Sequence, residues 1–85
     1  MKIQSAAEGV SERLRGVMAA VFGIDISSID ADASTSTIAE WDSVRHLQLM
    51  LAIEEEFGIQ FDTDELVSLR TLSLIEERVN VHAGN

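Results

Sequence analysis

The stretch Glu40-Trp41-Asp42-Ser43-Val44-Arg45-His46-Leu47 closes a long polar segment and opens the strongest helical pattern in the chain. Asp42 suits the N-cap of a helix, because its carboxylate can accept from first-turn backbone N–H groups that have no partner inside the helix. Ser43 then becomes the first helical residue, its hydroxyl facing solvent beside the positive end of the helix dipole. A phosphate carried on Ser43 would sit where helix N-termini hold anions. Asp-Ser at a helix start is also ordinary capping with no further chemistry, so the residues around it must separate the two readings.

From Ser43 to Phe57 the chain reads as one helix with a broad apolar face: Val44, Leu47, Met50, Leu51, Ile53 and Phe57, with Leu49 beside them. Leu47 and Phe57 are assigned to the core. The face is wider than a small bundle can cover from one side. Val44 and Leu51, seven residues apart and nearest the Ser43 end, therefore divide between core and partner surface. Gly58 ends the helix.

The Asp42-Ser43-Val44 motif, the helix after it and the Glu54-Glu55-Glu56-Phe57-Gly58 run that closes it resemble the acyl carrier protein family, whose modified serine lies in an Asp-Ser-Leu motif. The resemblance covers the chain from about Val10 to Val79. It implies an all-α, four-helix bundle of acyl-carrier type, with three longer helices, one short helix and a long first loop. It also implies that Ser43, beside Asp42, receives 4′-phosphopantetheine from a phosphopantetheinyl transferase using coenzyme A. The arm's thiol would hold acyl or aminoacyl groups as thioesters for acyl-loading and acyl-processing enzymes. Partner contacts are implied at Val44, Arg45, Gln48, Leu51, Glu54 and Glu55, with no catalytic residue and no metal.

Three departures accompany the resemblance. Val44 stands for the usual Leu, Glu40 stands where many members have Gly, and Arg45 and Gln48 occupy positions that are commonly acidic. Arg45 would meet like charge on enzymes that dock acidic carriers through Lys and Arg, which suggests a specialised pathway with its own enzymes.

Composition fits this reading. Eighty-five residues make a single domain, 1–85, with a modest core. The net charge is −9: residues 1–41 carry three basic and six acidic side chains, residues 42–85 three and nine. Such a surface repels nucleic acid and anionic membrane and steers basic proteins towards the motif half. No apolar run approaches the roughly 20 residues of a membrane span, and no signal-peptide pattern is visible, so a cytoplasmic monomer is expected. There is no cysteine, so any thioester chemistry needs an imported thiol.

In chain order, Ser5 and Glu8 fit a capping box. Ile3, Ala7, Val10, Leu14, Val17, Met18 and Val21 form the face of a first helix stopped by Gly23, with Glu8, Glu12, Arg13 and Arg15 outward. Residues 24–41 form the long connection, which Ile24, Ile26, Ile29 and Ile38 can pin to a core. Ile59 and Phe61 give a faint strand signal. Asp62 and Glu65 cap a short helix holding Leu66, Val67 and Leu69, and Asp62, Asp64 and Glu65 add to the acidic surface. Thr71 caps a last helix with Leu72, Ile75 and Val79 inward and Glu76, Glu77 and Arg78 outward. Residues 81–85 are expected to fray.

Three decoys fall on spacing. Asp30, Asp32, Ser34 and Ser36 imitate a calcium loop, but Thr35 stands where Gly is needed and Trp41 where a bidentate Glu is needed. Glu54, Glu55 and Glu56 are adjacent on a helix and cannot converge on one ion. Ser43 and His46 evoke a hydrolase pair, but Asp42 is better used as a cap and no Gly-x-Ser-x-Gly elbow exists. His46 is read as an exposed or amphipathic helix residue. Trp41 either staples back onto the first helical turn near His46 or lines the path of a prosthetic arm. The alternative to a carrier is an unmodified helical interaction module with a carrier-like fold.

Overall fold

The computed structural model describes residues 6–82, with side chains described from residue 9 onward. The expected capping box at Ser5 and Glu8, the inward placement of Ile3 and Ala7, and the tail 83–85 lie outside the described residues. Four helices run in order: α1 Ala6–Phe22, α2 Ser43–Phe57, α3 Thr63–Ser68 and α4 Leu72–His82. They form the expected all-α bundle of three longer helices and one short one. The last helix continues through Val81 and His82.

The helix ends follow from local chemistry. Gly23 takes a left-handed φ of 69°, and its N–H bonds Ala19 O at 2.8 Å, which closes α1. Gly58, with φ 65°, ends α2 in the same way, its N–H returning to Glu54 O. Asp62 and Glu65 form a reciprocal capping box on α3. Thr71 Oγ1 accepts from the Leu74 N–H at 3.1 Å at the start of α4.

The core is continuous across the elements. Leu14, Met18 and Phe22 from α1 meet Leu49, Met50 and Ile53 from α2 and Leu72, Ile75 and Val79 from α4, with Ile29, Ala33, Ile38 and Trp41 entering from the first connection. That connection is ordered by two devices. Side-chain turns absorb its polar residues: Asp30 Oδ1 accepts from Asp32 N–H at 3.0 Å, and Ser34 Oγ from Ser36 N–H at 3.1 Å. Backbone stitching does the rest, with Thr35 N–H donating to Arg70 O at 3.1 Å and Leu72 N–H to Ala33 O at 2.9 Å. Ile29 and Ile38 are buried as expected, whereas Ile26 is exposed in a single 3₁₀ turn, Ile26–Ser28.

Several side chains sit otherwise than the helical pattern suggests. Residues 59–61 form no strand; the Phe61 N–H is taken by the Glu54 carboxylate at 2.7 Å. Arg15 turns to the first connection and donates to Ile29 O at 3.1 Å. Val67 is exposed rather than held inward. Glu65 is buried, and Arg78, expected outward, reaches it with Nε at 2.7 Å and pairs through Nη2 as well. His82 Nε2 lies 3.2 Å from the same carboxylate, with Phe61 edge-on to the imidazole at 5.8 Å. The sequence pattern missed this cluster because Glu65 and Arg78 lie 13 residues apart on different helices.

Burial alone would raise the Glu65 carboxyl. The Asp62 backbone N–H, Arg78 and His82 outweigh burial and hold it down at about 2. Its contribution to stability is therefore complete above the ordinary glutamate range and is lost as pH falls towards 2. In urea titrations Glu65→Gln should be less stable than wild type at neutral pH by about 1–3 kcal/mol. The gap should narrow between about pH 4.5 and about pH 2; a gap unchanged across that window would contradict the assignment.

Candidate functional site

The site is built on the first turn of α2. Asp42 has extended backbone, and its Oδ1 accepts from the Arg45 N–H at 2.8 Å, while its carbonyl accepts from the His46 N–H at 2.8 Å. The N–H groups of Ser43 and Val44 precede the first intrahelical bond and point past the end of the helix. Ser43 itself is exposed. Its hydroxyl thus stands in solvent beside a helix N-terminus whose cap carboxylate is already committed.

Arg45 folds back over the cap. Its Nη1 lies 3.3 Å from Asp42 Oδ2 and 3.5 Å from Glu40 O. The guanidinium therefore screens the cap carboxylate, and Arg45 presents less outward charge than its place in the sequence suggests. Gln48, one turn on, is exposed.

Facing inward, α2 presents His46, Leu49, Met50 and Ile53. Facing outward it presents Val44, Leu47 and Leu51, which are 65%, 55% and 62% exposed. Val44 and Leu51, left between core and surface by the sequence, lie at the surface. Leu47, expected in the core, is corrected to the surface, and Leu49 is the buried residue in its place. The spacing 44, 47, 51 already carried this stripe, but reading His46 as polar hid the inner one. Phe57 is only partly buried, its ring covered by the Arg13 guanidinium at 4.6 Å. Arg13 also donates to Glu56 Oε2 at 3.0 Å and to Glu56 O at 2.8 Å, tying α1 to the end of α2. Of the expected acidic contacts, Glu55 is exposed, while Glu54 is half-buried and spent on the Phe61 N–H.

The imidazole of His46 is the main surprise. It is 5% exposed, not a surface group. Its Nδ1 accepts from Trp41 Nε1 at 2.9 Å, and its Nε2 lies 2.7 Å from Leu66 O on α3. Trp41 is 2% exposed and also packs on Phe22 at 5.4 Å between ring centroids. The stapling alternative for Trp41 therefore holds. Both nitrogens of His46 are engaged, so the ring is unavailable as a base for Ser43 and the hydrolase reading fails.

Two open depressions flank the far half of α2: one of about 440 Å³ at Leu51, Glu54, Glu55, Gly58, Ile59 and Gln60, the other of about 330 Å³ between α1 and α2. Ser43 lines neither. Among the described residues no cluster of His, Cys, Asp and Glu could hold a metal ion, and no helix is long and apolar enough to cross a membrane.

The model of the phosphopantetheine attachment site family matches residues 12–79, a span that includes Ser43 and all of α2. The chain belongs to the acyl carrier protein family. It is 31% identical over 72 residues to the acyl carrier protein of Rickettsia canadensis, covering 85% of this chain and 84% of that one. It is 25% identical over 71 residues to the acyl carrier protein of Thermosynechococcus vestitus, covering 84% and 88%. The family is one of carriers rather than catalysts, and membership implies a covalently attached 4′-phosphopantetheine.

Removing the cap tests the local geometry. Asp42→Ala should lower stability by about 0.5–2 kcal/mol, because the Arg45 N–H loses its acceptor and Arg45 loses its ion partner. Urea unfolding measures this, and an unchanged midpoint would show that the cap does not hold the first turn.

Proposed function

We propose that Ser43 is the attachment point for 4′-phosphopantetheine, and that the protein carries acyl or aminoacyl groups on that arm and presents them to partner enzymes. The observation that carries this reading is the exposed Ser43 hydroxyl at the first position of α2. The residues present fit the group. A phosphodiester on Ser43 Oγ would lie beside the free N–H groups of the first turn, where negative charge is favoured. The Asp42 carboxylate, which would otherwise repel it, is held by Arg45 and the Arg45 N–H. When bound, the arm supplies the thiol that a chain without cysteine lacks.

The partner enzymes, a phosphopantetheinyl transferase and acyl-loading and acyl-processing enzymes, would dock on the outer face of α2. Val44, Leu47 and Leu51 give it apolar anchors on the Ser43 side, with Gln48 and Glu55 as polar contacts. Asp42 and Arg45 frame the serine. The net charge of −9 favours approach by basic surfaces, and the screened Arg45 leaves that attraction largely intact. The specialised-pathway reading then rests on Gln48 and Val44 more than on repulsion by Arg45.

Incubation with a promiscuous transferase and coenzyme A should add one phosphopantetheine to wild type and none to Ser43→Ala, read by intact mass. Addition to Ser43→Ala would move the attachment point elsewhere. Wild type left unmodified by several transferases would favour an interaction module that is never loaded.

A further inference from the structure

The only tryptophan of the chain and a buried histidine meet directly behind the modification site. An indole Nε1 can only donate a hydrogen bond. His46 Nδ1 must therefore offer a lone pair, and the ring proton sits on Nε2, from which it donates to Leu66 O at 2.7 Å. One tautomer satisfies both contacts. The other would set two N–H groups face to face at Trp41 and a lone pair against the Leu66 carbonyl. A second proton, on Nδ1, keeps the Leu66 bond and breaks the Trp41 bond.

The broken side is the one that matters for Ser43. Trp41 is the residue before Asp42, and Asp42 holds the first turn through both its carboxylate and its carbonyl. The backbone N–H of His46 donates to that same carbonyl, so side chain and backbone of His46 grip the two residues that lead into Ser43. We propose that His46 is a positioning residue for the modification of Ser43, holding the Trp41–Ser43 segment in place through its bonds to Trp41 and to the Asp42 carbonyl. This rests on the reading of Ser43 as the attachment point.

No charged side chain among the described residues hydrogen-bonds the ring. On its own helix and the segment before it, Asp42 and Arg45 pair with each other and the Glu40 carbonyl accepts from Arg45. From α3 and the chain after it, Glu65 is held by Arg78 and His82, and Arg70 Nε donates to Val67 O at 2.9 Å. From α1, the contact is Phe22 against Trp41, with no charge.

The test uses the full chain in its unmodified form. His46→Leu fills the site and removes the acceptor for Trp41. It should shift the Trp41 emission with helix content by circular dichroism retained, and be modified by the transferase roughly tenfold more slowly, with the loss in kcat rather than KM. His46→Gln, whose amide oxygen can accept from the indole N–H, should recover part of that rate. His82→Gln should leave emission and rate as in wild type. His46→Leu modified as fast as wild type, or no recovery in His46→Gln, would overturn the proposal. If wild type takes no phosphopantetheine, the attachment reading fails, and the emission of His46→Leu alone decides whether the His46–Trp41 bond holds the segment.

Discussion

A buried imidazole joins three parts of this protein: the end of the first connection through Trp41, the first turn of α2 that bears His46, and α3 through Leu66 O. Each bond adds only about 0.5–1.5 kcal/mol net, but leaving one such group buried without a partner costs about 1–3 kcal/mol. The larger number decides the role of the ring. Once His46 is inside, Trp41 and α3 must stay where they satisfy it, and that fixes where Asp42 and Ser43 emerge. The surrounding apolar core, from Leu14 and Met18 to Ile75 and Val79, makes water a poor substitute for either partner.

Placing His46 inward also sets the rotation of α2. With His46, Leu49, Met50 and Ile53 packed, Val44, Leu47 and Leu51 are left outside by helical geometry alone. The outer stripe is the consequence of a core that is already full, and it begins one residue after Ser43. Arg13 secures the opposite end of the helix at Glu56 and Phe57, so both ends of α2 are tied to neighbouring elements. A serine held on a rigid helix end beside exposed apolar side chains suits a protein whose task is to hold a group and be recognised, with the reaction supplied by others.

Much of this was legible in the residues. Asp42, Asp62 and Thr71 announced their helices because capping is local chemistry, decided within three residues. Gly23 and Gly58 marked stops because left-handed backbone suits glycine. The inward residues of α4 followed from spacing. What was not legible depended on partners distant in the chain. Leu47 and Leu49 exchanged places because the inner stripe runs through a histidine, whose burial makes sense only once Leu66 O, 20 residues away, is beside it. Glu65 looked like acidic surface until α4 brought Arg78 and His82 to it. Ile59 and Phe61 alternated like a strand, but Glu54 takes the Phe61 N–H that a strand partner would need. At the site, the sequence pointed to Ser43, Asp42 and the exposed Val44 and Leu51. It did not show that Arg45 folds onto its own cap.

The central claim is that the first residue of α2, alone among the serines of this chain, takes the prosthetic group. The direct measurement is fragment-ion mass spectrometry of wild type after loading by a transferase. The tryptic peptide 16–45 contains Ser27, Ser28, Ser34, Ser36 and Ser43. The account predicts that every fragment bearing the added mass includes Ser43, and that fragments ending before it are unshifted. Added mass on a fragment that stops at Ser36, or on a peptide from another part of the chain, would contradict it.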